Sequence, residues 1–119
     1  MTRINANIPV QELVGKHLLA EHREIKRIPN TIASGKAKLD NIPNIFKLGA
    51  GHVKFFYDKQ EFLLRRYRQL YTECKNRGYN VTNYESCWDG VPKHLFKDYA
   101  FTEAENNIVR ERINERLNK

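Results

Sequence analysis

The sequence predicts an all-α fold: a single compact domain over residues 1–119, with three main helices and irregular connecting loops. Three segments place apolar residues at helical spacing, whereas no segment alternates apolar and polar residues well enough to predict a β-strand. The chain has 119 residues and is 40% hydrophobic, which is enough for one modest core. We therefore expect helices packed around one core.

The first helix is predicted from Gln11 to about Ile28, where Pro29 would end or kink it. A helical wheel places two sets of residues on separate faces. The apolar face contains Val14, Leu18, His22 and Ile25, and the other contains Lys16, Ala20, Arg23 and Arg27. Residues 34–51 are rich in Gly, Asn and Pro, and we expect a loop there.

The second helix is predicted from about Asp58 to Arg77, with Gly78 as its C-cap. The third is predicted from Thr102 to the end of the sequence, because Glu105 completes a capping box with Thr102. Residues 79–101 are expected to be irregular. The predicted core residues of the second helix are Phe62, Leu63, Tyr67, Leu70, Tyr71 and Cys74, and those of the third are Ile108, Ile113 and Leu117.

The charge balance favours a polyanionic partner. The chain has 21 Lys and Arg against 14 Asp and Glu, a formal net charge of +7. Nucleic acid is the first candidate for such a basic chain, and an acidic membrane surface is the second. No apolar run approaches the roughly 20 residues of a membrane-spanning helix, and no signal peptide is recognisable. We expect a cytoplasmic monomer that does not enter a membrane.

The potential metal ligands are too few and too scattered to form a recognisable motif. Cys74 and Cys87 are the two cysteines, and the four histidines are dispersed. This spacing matches neither a zinc motif nor a disulfide framework. We predict two reduced thiols, no metal and no cofactor.

Charged residues concentrate on the first predicted helix. Lys16, Arg23 and Arg27 form a basic stripe, and His17 and Glu24, seven residues apart, share an adjacent flank. A phosphate-binding acid/base site would have this pattern. A solvated helix face would have it too, with ion pairs worth a few tenths of a kcal/mol each. The pattern leaves both interpretations open.

The N-terminus offers a potential nucleophile. Because Thr2 is small, removal of Met1 is expected and would expose the Thr2 α-amine. An α-amine has a pKa near ~8, against ~10.4 for lysine. A substantial fraction would be unprotonated at neutral pH and able to attack an electrophilic sugar carbon to form an imine. Periodicity cannot distinguish this role from that of an ordinary second residue.

Three blocks of sequence resemble the bacteriophage pyrimidine-dimer DNA glycosylases, of the phage endonuclease V type. The first is Thr2-Arg3-Ile4-Asn5. The second runs from His17 to Ile25 and ends in Arg27. The third is LGAGHVKFFYDK at residues 48–59, followed by EFL at 61–63, and weaker similarity continues to the third helix. Within the third block, we expect Phe55, Phe56 and Tyr57 to belong to the core.

The resemblance implies a compact three-helix fold and a bifunctional DNA glycosylase/AP lyase. In this family the Thr2 amine would attack the deoxyribose C1′ and displace the base, and β-elimination would then cut the strand. Glu24 matches the family's essential glutamate, which stabilises charge developing on the sugar and assists proton transfer. The implied partner is damaged double-stranded DNA of viral or bacterial origin. The predicted DNA-contacting residues are Arg3, Lys16, His17, Arg23, Arg27, Arg112 and Arg116.

Several positions depart from the family pattern. Lys16 replaces a glutamine, His22 replaces a tyrosine, and the stretch between Arg27 and Gly35 is shorter. The sequence also stops at Lys119 without the aromatic tail of the better-known member. These departures concern the lesion more than the lyase chemistry. The alternatives are the same chemistry on another lesion or an abasic site, and a non-catalytic basic helical domain that binds DNA.

Overall fold

The computed structural model describes residues 2–117, and within that range it is helical with no β-strand. The five α-helices are α1 (Gly15–Glu24), α2 (Arg27–Ala33), α3 (His52–Phe55), α4 (Gln60–Asn76) and α5 (Glu103–Leu117). Short 3-10 helices occupy Val10–Glu12, Phe56–Asp58, Glu85–Trp88 and Lys93–Leu95. The all-α prediction is therefore confirmed. No helix in the described part of the chain is long and apolar enough to cross a membrane.

Helix α4 supplies much of the core, as its apolar periodicity predicts. Of the six predicted core residues, five are buried and Tyr71 is partly exposed. The helix ends where the sequence indicates, because Gly78 adopts φ +83° just after it. The Gly78 N–H donates to the Lys75 carbonyl, and the Tyr79 N–H donates to the Cys74 carbonyl. These two bonds form a Schellman motif.

The single helix predicted from Gln11 to Ile28 is wrong. Val14 has extended backbone, α1 begins after it, and Ile25 starts a turn before α2. Val14 is 40% exposed, since helical spacing does not apply before the helix starts. Pro29 lies inside α2 as its third residue rather than ending a helix. First-turn N–H groups have no intrahelical partner, so proline is tolerated there.

Helix α5 starts as predicted but buries a partly different face. The Thr102 N–H donates to Glu105 Oε1 at 2.9 Å, and the Glu105 N–H donates to Thr102 Oγ1 at 3.1 Å, which completes the capping box. Ile108 and Leu117, predicted to face inward, are each 50% exposed, whereas Val109 is fully buried. Ile113, the third predicted residue, is partly buried and packs against the core, so the buried stripe of α5 includes Val109 and Ile113. The predicted continuation through residues 118 and 119 lies outside the described residues.

The glycine-rich third block leads into an aromatic cluster. Gly49 and Gly51 adopt φ values of +72° and +86° in the turn before α3. Phe55 and Phe56 are fully buried, as predicted, and their ring centroids lie 5.0 Å apart in an edge-to-face arrangement. Tyr57 is partly exposed. This cluster anchors α3 beneath the N-terminal segment.

Candidate active site

The N-terminal segment is tied to the helices by hydrogen bonds on three consecutive residues. The Arg3 N–H donates to Glu24 Oε1 at 3.2 Å, and the Ile4 N–H donates to His52 Nε2 at 3.0 Å. The Asn5 side-chain amide donates to Glu21 at 2.7 Å. The Ile4 side chain is fully buried, so the segment is also anchored by packing.

A pocket of about 290 Å³ opens beside this segment. Helix α1 contributes residues at positions 17, 20, 21 and 24, which form one stripe because they are three to four residues apart. Helix α5 contributes a second wall. The lining residues are Arg3, Asn5, His17, Ala20, Glu21, Glu24, Arg112, Ile113 and Arg116.

Glu24 lies where the pocket meets the N-terminal peptide. Its side chain is 16% exposed, and its second oxygen lies 3.8 Å from the Arg23 guanidinium. Since its first oxygen accepts the Arg3 N–H, covalent backbone geometry limits the Thr2 nitrogen to within about 7 Å of that oxygen. The carboxylate is therefore next to the residue that would carry the nucleophilic amine.

The second carboxylate of the pocket, Glu21, is instead neutralised by an arginine of α4. Arg66 of α4 donates to its two oxygens at 2.7 and 3.0 Å, and both side chains are 1% exposed. Arg66 also donates to the Ile8 carbonyl. Sequence reasoning missed this pair. The signal was available, because Arg66 interrupts the apolar stripe of α4 between Phe62 and Leu70.

The arginines give the pocket its positive character. The Arg112 guanidinium donates to Asn5 Oδ1 at 3.2 Å. Burial lowers the pKa of Arg112, and the nearby Arg3 cation lowers it further. With Arg116, three guanidinium groups converge here. An anion would relieve the repulsion between them, and arginine matches the bidentate geometry of phosphate.

His17 presents a neutral imidazole to the pocket. Its Nδ1 atom is buried without a hydrogen-bond partner among the described residues. Burial lowers the pKa of His17, and the Lys16 and Arg3 cations lower it further.

The predicted site residues thus fall into three groups: residues that line the pocket, exposed cations outside it, and Thr2 beside it. Arg3, His17, Glu24, Arg112 and Arg116 all line the pocket. The remaining cations, Lys16, Arg23 and Arg27, are exposed along α1 and the start of α2, outside the lining. Thr2 is partly buried and directly precedes the lining residue Arg3, whereas Met1 lies outside the described residues. Within the described chain, no three or more His, Cys, Asp or Glu side chains group as metal ligands would.

The fold and the pocket define a small helical protein with a cationic site built against its own N-terminal segment. The family model described as pyrimidine dimer DNA glycosylase matches residues 1–84. The chain therefore belongs to the pyrimidine dimer DNA glycosylase family, whose members are DNA-repair glycosylases that act on damaged DNA. The match includes the N-terminal segment and helices α1 to α4, and α5 with its two pocket-lining arginines lies outside it.

Proposed function

We propose that this protein is a bifunctional DNA glycosylase/AP lyase that uses the α-amine of Thr2 as its nucleophile. The observation that carries the proposal is the hydrogen bond from the Arg3 N–H to Glu24 Oε1 at the edge of the cationic pocket. This bond supports the proposal because the Thr2 nitrogen, which would become a free amine if Met1 were removed, lies one peptide unit from the bonded N–H.

The first step replaces the base on the sugar. The lone pair of the Thr2 amine forms a bond to the deoxyribose C1′, and the C1′–N bond to the pyrimidine breaks. The departing base takes up a proton at its nitrogen. The C1′–O4′ bond then breaks as the sugar ring opens. The amine has lost two protons by this stage, which balance the one taken up by the base and the one taken up by O4′, and an imine remains between Thr2 and C1′. Positive charge develops on the sugar during this step, and the Glu24 carboxylate stabilises it.

The second step cuts the strand. A base removes a proton from C2′, the electron pair forms a C2′–C3′ double bond, and the C3′–O bond breaks with release of the 3′ phosphate. Water then hydrolyses the imine and regenerates the Thr2 amine. We assign proton transfer to Glu24, because among the described residues it is the lining carboxylate that has no buried arginine partner.

The cations inside and outside the pocket would contact different parts of the DNA. Arg3, Arg112 and Arg116 would hold phosphates around the extruded nucleotide, and the neutral His17 would lie near the sugar. Lys16, Arg23 and Arg27 would follow the flanking DNA backbone. Extrusion of a nucleotide costs a few kcal/mol, which these contacts would offset.

Borohydride trapping tests the mechanism directly. The protein would be incubated with reductant and DNA containing a cyclobutane pyrimidine dimer, an abasic site or no lesion. We expect an adduct with the dimer DNA and the abasic DNA whose mass maps to the peptide beginning at Thr2. A variant with an extra residue before Thr2 should give neither adduct nor cleavage. An adduct on Lys16, or full activity with the blocked terminus, would contradict the proposal.

The same experiment separates the alternatives. An adduct with abasic DNA but not with dimer DNA would assign the lyase chemistry to a different lesion. Binding of damaged DNA without any adduct would instead indicate a non-catalytic DNA-binding protein.

A further inference from the structure

His52 has one hydrogen-bonding arrangement available to it. The side chain is 4% exposed, with Nδ1 2.9 Å from the Lys47 carbonyl oxygen and Nε2 3.0 Å from the Ile4 nitrogen. A carbonyl can only accept and a backbone N–H can only donate. His52 must therefore be neutral, with its proton on Nδ1 and its lone pair on Nε2.

The surrounding structure holds this ring in place. Gly51 has φ +86° and lets the chain turn sharply into α3, whose first residue is His52. The rings of Phe46 and Phe56 pack edge-on against the imidazole, at centroid distances of 5.5 and 5.4 Å. The lone pair on Nε2 consequently has a fixed direction.

That lone pair is aimed at the segment that carries Thr2. The Ile4 N–H binds His52 of α3, and the Arg3 N–H binds Glu24 of α1. Two consecutive peptide groups are therefore anchored to two different helices. The buried Ile4 side chain and the Asn5 side chain hold the segment as well, but these two bonds are the ones that fix the orientation of the peptide groups next to Thr2.

We propose that His52 is a positioning residue that directs the Thr2 amine toward the pocket by accepting the Ile4 N–H. The inference rests on the proposed role of Thr2 as nucleophile. His52 itself touches neither the pocket nor, in this assignment, the DNA. Its contribution is orientation, and a misplacement of about 1 Å in a reacting group can cost about 100-fold in rate.

The electrostatic surroundings are consistent with a neutral ring at working pH. Burial lowers the pKa of His52, and the Lys47 carbonyl hydrogen bond opposes this effect. Among the charged groups that face it, Arg112 and Arg3 lower the pKa further and Glu21 raises it. The ring therefore keeps its acceptor for Ile4 at neutral pH.

Two amide substitutions separate the two hydrogen bonds. In His52→Gln, the side-chain oxygen can reach the Nε2 position and accept the Ile4 N–H. In His52→Asn, the shorter amide reproduces Nδ1 and its bond to the Lys47 carbonyl, but leaves the Ile4 N–H without an acceptor. Both variants carry a side-chain amide, but only His52→Gln keeps an acceptor for the Ile4 N–H, which is the contact that the proposal requires.

The readout is the single-turnover rate constant for borohydride-trapped imine formation on abasic DNA with enzyme in excess. We expect His52→Asn to lower this rate constant by about 10- to 100-fold, and His52→Gln to stay within about threefold of wild type. Affinity for DNA with a tetrahydrofuran abasic analogue should be unchanged in both variants. Thermal unfolding of each variant measures the folded fraction separately.

The outcomes are distinguishable. A wild-type rate constant in His52→Asn, or equal losses in both variants, would overturn the positioning role. A lower active fraction with an unchanged rate constant would indicate a purely structural role and would also overturn it. If wild-type protein formed no adduct at Thr2, the proposed function itself would fail, and this inference with it.

If His52→Asn does not fold, nitrogen-15 NMR of the wild-type histidine provides the test. The proposal requires an Nδ1-protonated, Nε2-accepting ring both free and bound to abasic-analogue DNA. A charged ring or the Nε2-protonated tautomer would contradict it.

Discussion

The two carboxylates of the pocket lie three residues apart on α1 but occupy very different surroundings. Glu21 is 1% exposed and bound by Arg66 through two hydrogen bonds, with Asn5 as a further donor. Glu24 is 16% exposed, with a backbone N–H and the exposed Arg23 as its neighbours. Both residues line the same pocket.

This difference suits the proposed function, in which Glu21 has a structural role and Glu24 a chemical one. A buried charge is tolerated when a partner neutralises it and its hydrogen bonds are satisfied. Arg66 meets both conditions for Glu21. The charge of Glu21 is thus already compensated within the protein. Glu24 lacks a buried cationic partner among the described residues. Positive charge that develops on a bound sugar would therefore interact more strongly with Glu24 than with Glu21.

The largest expected effect is on catalysis in Glu24→Gln. The glutamine oxygen can still accept the Arg3 N–H, so the N-terminal segment should keep its position while the negative charge is lost. We expect strand cleavage to fall by about 10²- to 10⁴-fold, with DNA binding largely retained. Single-turnover cleavage of dimer DNA measures this, with Glu61→Gln on exposed α4 surface as a charge-matched control. Cleavage near the wild-type rate would refute the assignment of Glu24.

Glu21→Gln should affect folding instead. Removing this charge leaves Arg66 buried without compensation, and breaking a buried pair in this way costs about 3–5 kcal/mol. Urea unfolding measures the loss, and Glu85→Gln, which breaks an exposed pair with Arg68, should have a much smaller effect. An unfolding free energy equal to that of wild type would show that the two carboxylates do not differ as described.

The exposed cations of α1 and α2 should act on binding. Each phosphate contact contributes about −0.9 to the slope of log affinity against log salt concentration. Binding of undamaged DNA should therefore be weak and steeply salt-dependent, and Arg23→Ala or Arg27→Ala should each reduce the slope by about 0.9. The control is Arg65→Ala, because Arg65 pairs with Asp98 and lines a separate groove. Identical slopes in all variants would indicate that these cations do not meet the DNA backbone.

The smallest expected effect is on the pH dependence of stability. Burial lowers the pKa of His17, His22 and His52 below the ordinary value of 6.5. Below pH 6.5 the unfolded chain therefore binds more protons than the folded protein. The contribution of the neutral histidines to the free energy of unfolding is fully present above pH 6.5, and it is lost as the pH falls toward and through their lower pKa values in the folded protein. Thermal unfolding between pH 7 and pH 5 measures this loss. His52→Gln should have a shallower dependence, and a slope unchanged from wild type would exclude His52 as a contributor.

Features encoded within a few residues could be predicted from the sequence. The capping box of Thr102 and Glu105 and the Schellman motif at Gly78 depend on bonds that span three to five residues. The core stripe of α4 follows from helical spacing. The resemblance over the N-terminal blocks likewise identified the family that the match over residues 1–84 shows.

The tertiary structure decided which charged groups meet. Glu21 and Arg66 are 45 residues apart, Ile4 and His52 are 48 apart, and Asn5 and Arg112 are 107 apart. Helical periodicity assigns a residue to a face, but it does not identify what packs against that face. Desolvation and pairing depend on that second surface, and they separate a neutralised Glu21 from an available Glu24 on one helix.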